Sequence, residues 1–193
     1  MARSSAVEHA VLNLPFFCLL LQLEGELGTV YVTKRPGVDQ FLSEMAKHYE
    51  VIVFTAGTQA YADRLLDLLD PTKTLIRTRL FRDSCLAFGD NIFVKDLSLL
   101  GRDLSQTIIV DNSPLSYAFH KNNAIDCSSF FDDENDRELD QIGAFLAAIK
   151  DVKDVRELLM HWRTWPKIAT SLDEHGDEPE IAETSVAVSV AAQ

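Results

Sequence analysis

The chain has 193 residues, 47% of them hydrophobic and 25% charged, with a net charge of −12. That length and balance fit one domain with tails and exclude a chain disordered throughout. The acidity excludes a general nucleic-acid binder, which would present a basic face, but leaves room for a small basic patch around a phosphate.

Three cysteines, Cys18, Cys85 and Cys127, are widely scattered. No Cys-x-x-Cys pair occurs, so neither a disulfide framework nor a zinc site is indicated, and reduced thiols in an intracellular protein are expected. There is no internal repeat. Val11 to Leu23 is apolar but interrupted by Asn13, Pro15 and Gln22, and it is short for a bilayer span. Neither a secretory signal nor a transit peptide is expected, and no membrane span.

Residues Met1 to Leu14 carry no motif. Phe16–Leu23 and Thr29–Thr33 read as two strands around a Gly-containing turn, a hairpin. Beyond Pro36-Gly37, the spacing of Val38, Phe41, Leu42 and Met45 predicts a short helix. Tyr49–Phe54 is an apolar run typical of a buried strand. It ends in Thr55-Ala56-Gly57-Thr58, and Thr55 suits either a phosphate oxygen or a helix cap. Gln59–Leu69 reads as a helix that buries Leu65, Leu66, Leu68 and Leu69, stopped by Asp70-Pro71.

Leu80-Phe81-Arg82 and Ile92-Phe93-Val94 are expected as short strands around a Gly89-Asp90 turn. Lys95 follows the second, where it is either a phosphate-neutralising cation or an ordinary strand end. Leu104–Val110 predicts a further buried strand, running straight into Asp111-Asn112-Ser113-Pro114. Asp111 and Asn112 would project beyond the carboxyl end of that strand, as two oxygen-bearing side chains suited to a hard cation such as Mg²⁺. A turn and helix cap would use the same residues. Ala124–Asp126 reads as a strand, Arg137–Ile149 as a helix behind an acidic loop, and Val152–His161 as a last amphipathic helix. From Ile168 to Gln193 a disordered tail is expected, with a strand near Val186–Ala192 as the weaker alternative.

Thr55, Lys95 and Asp111-Asn112 thus each follow an apolar strand, in the order hydroxyl, cation, metal-holding acid. Strands alternating with helices place such ends in one crevice. From Val30 to about Leu158 the sequence closely resembles the small phosphatases that act on the C-terminal domain of RNA polymerase II. These FCP-homology proteins belong to the haloacid dehalogenase superfamily. The resemblance rests on Tyr31-Val32-Thr33-Lys34-Arg35-Pro36-Gly37-Val38, Val53-Phe54-Thr55-Ala56, Arg79 to Cys85, Phe93-Val94-Lys95-Asp96-Leu97-Ser98, Gly101-Arg102-Asp103-Leu104 and Val110 to Pro114. Ser116-Tyr117-Ala118-Phe119-His120 and Phe130-Phe131-Asp132 also fit.

The resemblance implies an α/β protein: a Rossmann-like haloacid dehalogenase fold with a parallel sheet and a β-hairpin insertion, its central first strand missing or replaced. It implies a domain over 15–163, preceded by an atypical segment 1–14 and followed by an acidic tail 164–193. It implies that Thr55 binds the transferring phosphoryl group, that Lys95 neutralises it, that Arg82 contacts the substrate phosphate and that Asp111 and Asn112 hold Mg²⁺. The substrates would be phosphoserine or phosphothreonine proteins, in the nucleus or cytoplasm.

One departure is plain. The family's first motif, Asp-x-Asp-x-Thr/Val, supplies the nucleophile and the general acid/base. No Asp in these 193 residues has another Asp two positions later. Asn13, in Val11–Pro15, is the nearest substitute, but an amide is a poor nucleophile. Little or no phosphatase activity, and weak or absent Mg²⁺ binding, are therefore expected. A non-catalytic relative is the alternative, such as the presequence receptor of the mitochondrial inner-membrane translocase. A lost exon is a third reading.

Overall fold

The computed structural model describes residues 16–23, 26–89, 91–165 and 185–188. Strands β1 (Phe16–Leu23) and β2 (Glu26–Thr33) form the antiparallel hairpin that the sequence predicts, with β2 starting three residues earlier. Helix α1 (Val38–Met45), strand β3 (Glu50–Phe54) and helix α2 (Gln59–Leu69) follow as expected. Next come β4 (Thr78–Leu80), the antiparallel pair β5 (Leu86–Phe88) and β6 (Ile92–Val94), β7 (Thr107–Asp111), β8 (Ala124–Asp126) and helix α3 (Glu138–Ile149). Strand β9 (Ser185–Val188) is the last described element.

Five strands make one sheet in the order β4-β3-β9-β7-β8, with every neighbour parallel. Alternation along β7 separates Ile109 from Ile108 and Val110. Val51, Ile108 and Val110 face one way, into a core shared with Phe41, Leu42 and Met45 of α1 and Ile142, Phe145, Leu146 and Ile149 of α3. Val53, further along β3, packs against Ala62 and Leu66 of α2 with Ile76 and Phe81. Ile109 packs with Leu97 and Tyr117. Burial of each large aliphatic or aromatic side chain contributes roughly 1.5–3 kcal/mol, so these clusters hold the sheet. The Tyr49 hydroxyl donates to the Leu146 carbonyl at 2.6 Å, fixing α3 to the start of β3.

The hairpin is tied to the far end of the domain by Arg35. Its guanidinium bonds both carboxylate oxygens of Asp136, at 3.0 and 2.7 Å, and reaches Glu138 at 2.7 Å and the Ser128 carbonyl at 2.9 Å. Two residues on, Gly37 caps α1 at φ 80. A Cβ there would stand 2.9 Å from Asp140 Oδ1, a side chain exposed enough to swing aside. The left-handed backbone is the lasting cost. Gly37→Ala is expected to destabilise by about 1–2 kcal/mol in urea unfolding, and an unchanged midpoint would contradict this.

Four expectations are corrected. Ser185–Val188 is a strand in the middle of the sheet, where the sequence favours a disordered tail and gives a strand near Val186–Ala192 only as the weaker alternative. Pairing on both sides supplies the order that the local sequence lacks. The strand paired with Ile92–Val94 is Leu86–Phe88, not Leu80–Arg82; β4 pairs with β3 instead, and Arg82–Ser84 is a 3₁₀ turn. Leu104–Gln106 is also a 3₁₀ turn before β7, because Asp103 caps the Ser105 N–H at 2.8 Å. Val152–His161 is not an α-helix but part of two 3₁₀ segments, Val155–Glu157 and Leu159–Thr164. The Gln106 carboxamide takes the carbonyls of Val152 and Lys153 at 3.0 and 2.7 Å, which removes two acceptors that would start a helix there. The readings of Met1 to Leu14, Asn13 included, lie outside the described residues.

Candidate active site

Each predicted site residue is placed by the end of an element. Thr55 follows β3 and is buried, its N–H donating to the Leu80 carbonyl of β4 at 2.9 Å. Its hydroxyl accepts the Gly57 N–H at 3.0 Å and so orders the turn into α2. That hydroxyl keeps its own proton to donate. Arg82 follows β4. Its N–H donates to the Gly57 carbonyl at 3.0 Å, its Nε donates to the Ala56 carbonyl at 2.6 Å, and the guanidinium lies 5.0 Å from the centre of the Phe93 ring. Arg82 is exposed and is held over the Thr55 turn by these contacts.

Lys95 follows β6 and Asp111 ends β7. Both are buried, and Lys95 Nζ meets Asp111 Oδ2 at 2.6 Å. The other oxygen, Asp111 Oδ1, accepts the Ser113 N–H at 2.7 Å. The Lys95 backbone N–H donates to the Ser116 carbonyl at 2.7 Å, which brings the turn after β7 to the end of β6. Asn112 turns its amide aside, donating to Ser129 Oγ at 2.9 Å.

Cys85 joins the two halves. Its Sγ approaches the Thr55 carbonyl at 3.8 Å, and the charges of Lys95, Arg82, Asp111 and Asp83 act on it. Burial pushes the thiol above its ordinary pKa, and the cations offset this only in part. It is therefore a protonated packing group rather than a nucleophile. The sequence offers no signal for the Cys85–Thr55 contact or for the grip of Arg82 on the Ala56 and Gly57 carbonyls.

The donor set does not make a Mg²⁺ site by itself. Both oxygens of Asp111 are engaged, and Asn112 points its amide nitrogen to Ser129. Among the described residues no group of three or more His, Cys, Asp or Glu stands close enough to hold a metal ion. A magnesium site demands near-octahedral oxygen ligands, usually with more than one carboxylate or substrate phosphate among them.

The described strand between Thr55 and Asp111 is Ser185-Val186-Ala187-Val188. It runs parallel to both neighbours, pairing with Glu50–Val53 and with Thr107–Val110. The strand adds no carboxylate, and in sequence Ser189-Val190-Ala191-Ala192-Gln193 follows it.

This sheet and its inserted β5–β6 pair define a haloacid dehalogenase-type α/β fold. The chain belongs to the NLI interacting factor-like phosphatase family, whose model matches residues 4–156. It is 52% identical over 145 residues to a probable C-terminal domain small phosphatase of Dictyostelium discoideum, covering 75% of this chain and 47% of the relative. It is 46% identical over 143 residues to the human CTD small phosphatase-like protein, covering 74% of this chain and 51% of that protein. The chain therefore spans about half the length of these relatives. The solved structure of Fcp1, an essential RNA polymerase II CTD phosphatase, superposes with a TM-score of 0.53 at 24% identity, over 92% of this chain and 48% of that one. Among the described residues no helix is long and apolar enough to cross a membrane.

Proposed function

We propose that these residues form the phosphate-binding part of a phosphoserine/phosphothreonine phosphatase centre whose nucleophile they do not supply. Thr55 would donate to a phosphoryl oxygen, Lys95 would neutralise its charge, and the exposed Arg82 guanidinium would take a substrate phosphate. Asp111 would orient Lys95 and, with Asn112, contribute oxygens to Mg²⁺ only if further ligands came from elsewhere. The observation that carries the reading is the strand lodged between Thr55 and Asp111, which has no carboxylate. Electrostatic groups lower a barrier only when an attacking atom is in line, so the residues present would bind and not turn over. The partner class is a phosphoprotein, as the names of the relatives suggest, and a nuclear or cytoplasmic place of action accords with them. The names of these relatives do not point to mitochondrial import.

The purified 193-residue chain is expected to hydrolyse neither an aryl phosphate nor a phosphoserine peptide in Mg²⁺ above the background of Asp111→Ala. Robust turnover lost on Asp111→Ala would overturn the reading.

A further inference from the structure

The middle of the sheet is built unusually. β3 and β7 pair outward with β4 and β8, and each turns its inner edge to β9. The residues flanking that gap are buried: Val51, Ile52 and Val53 on one side, Ile108, Ile109 and Val110 on the other. Left empty, the gap would expose two rows of unpaired backbone groups inside the sheet. Its occupant is a four-residue segment, Ser185–Val188, bonded in register on both sides. In sequence it is separated from Trp165 by residues 166–184, which include Asp173-Glu174-His175-Gly176-Asp177-Glu178-Pro179-Glu180.

Two physical facts make this occupant separable. Ser and Ala contribute little to strand formation, so half of β9 relies on its neighbours for order. Covalent attachment to the same chain holds a segment at an effective concentration of about millimolar, so even weak intrinsic pairing keeps it seated. A free segment of suitable composition meets the same two hydrogen-bonding edges, as in strand-addition recognition of peptides.

We propose that the gap between β3 and β7 is a strand-binding slot for a short aliphatic segment entering parallel, with Ser185–Val188 as its exchangeable occupant. The slot opens at its carboxyl end beside Thr55 and Asp111, so its occupant decides which residues are delivered to that centre. This last consequence rests on the phosphatase-family reading. The binding itself does not, and its test involves no turnover.

The test uses the full chain with Ala187→Pro, which removes a backbone donor within the strand. A fluorescent peptide of residues 184–193 is titrated against this variant and against the unaltered chain, with hydrogen exchange followed in β3 and β7. In Ala187→Pro the β3 and β7 amides are expected to exchange at least tenfold faster, and added peptide to restore their protection. The peptide is expected to bind the unaltered chain at least tenfold more weakly, because the tethered copy competes. Absence of peptide binding to folded Ala187→Pro, unchanged exchange in β3 and β7, or equal binding of a scrambled peptide would overturn the proposal. If Ala187→Pro does not fold, the milder Val186→Thr/Val188→Thr chain is titrated in its place. It should take the peptide more tightly than the unaltered chain, and equal affinity would overturn the proposal.

Discussion

Replacing Lys95 by methionine is expected to cost about 3–5 kcal/mol of stability. Lys95 and Asp111 are 3% and 1% exposed and 2.6 Å apart. Removal of the cation leaves the Asp111 carboxylate charged in a dry setting, with only the Ser113 N–H among the contacts described above. Asp111→Leu removes the carboxylate that the buried Lys95 ammonium meets at 2.6 Å and should also destabilise. The double variant Lys95→Met/Asp111→Leu should lose less than the sum of the two single losses, since neither charge is then buried without the other. Urea midpoints of the four proteins check this. Additive losses in the double variant would show that the two side chains do not act as a pair.

The second large effect is expected at Asp70, where Asp70→Ala should cost about 2–4 kcal/mol. The sequence marks this residue only as the stop of α2. In the structure it is fully buried, and its carboxylate accepts the N–H groups of Thr74, Leu75 and Ile76 at 3.1, 3.0 and 2.9 Å, with the Thr72 hydroxyl at 3.2 Å. One carboxylate thus organises the whole turn between α2 and β4. Burial alone would raise its pKa, but the hydrogen bonds from Ile76, Thr74, Leu75 and Thr72 hold it below the ordinary carboxylate value. A depressed folded pKa contributes stability above the unfolded value of about 4, and that contribution is lost as pH falls through the lower folded value. Asp70→Asn should therefore destabilise at pH 7 and show a shallower loss on acidification. An unchanged acid limb in the denaturation midpoints would count against this account.

The elements that place the candidate site were legible because their patterns are local. Val51 to Phe54 and Ile108 to Val110 are continuous apolar runs, the signature of strands covered on both faces, and Thr55 and Asp111 follow directly. The Leu65-Leu66 face and the Gln59 and Leu69 limits of α2 follow from helical spacing and from Asp70-Pro71. What was hidden depends on distant partners. Val186, Val188 and Val190 alternate with Ser and Ala, a pattern that supports a strand only as the weaker alternative in an acidic tail, and it becomes one between two edges made elsewhere. Leu86-Ala87-Phe88 is exposed and lacks polar alternation, so the arm of its hairpin went to the more apolar Leu80-Phe81. The reach of Gln106 to the Val152 and Lys153 carbonyls is a long-range contact that overrides a helical pattern. The Lys95–Asp111 ion pair was likewise invisible: Lys95 was read as a cation for phosphate or a strand end and Asp111 as a metal ligand, yet the two meet at 2.6 Å.

The position of β9 also sets the order in which this sheet can be completed. Its middle strand is the last described element in chain order, yet it bonds residues 50–53 and 107–110. Pairings so remote in sequence must overcome loop-closure entropy before they repay it, which slows folding. On the ribosome, the inner edges of β3 and β7 emerge well before the strand that covers them. Until then the nascent chain presents two open β-edges flanked by Val and Ile, the kind of surface that invites pairing with other chains and calls for chaperones.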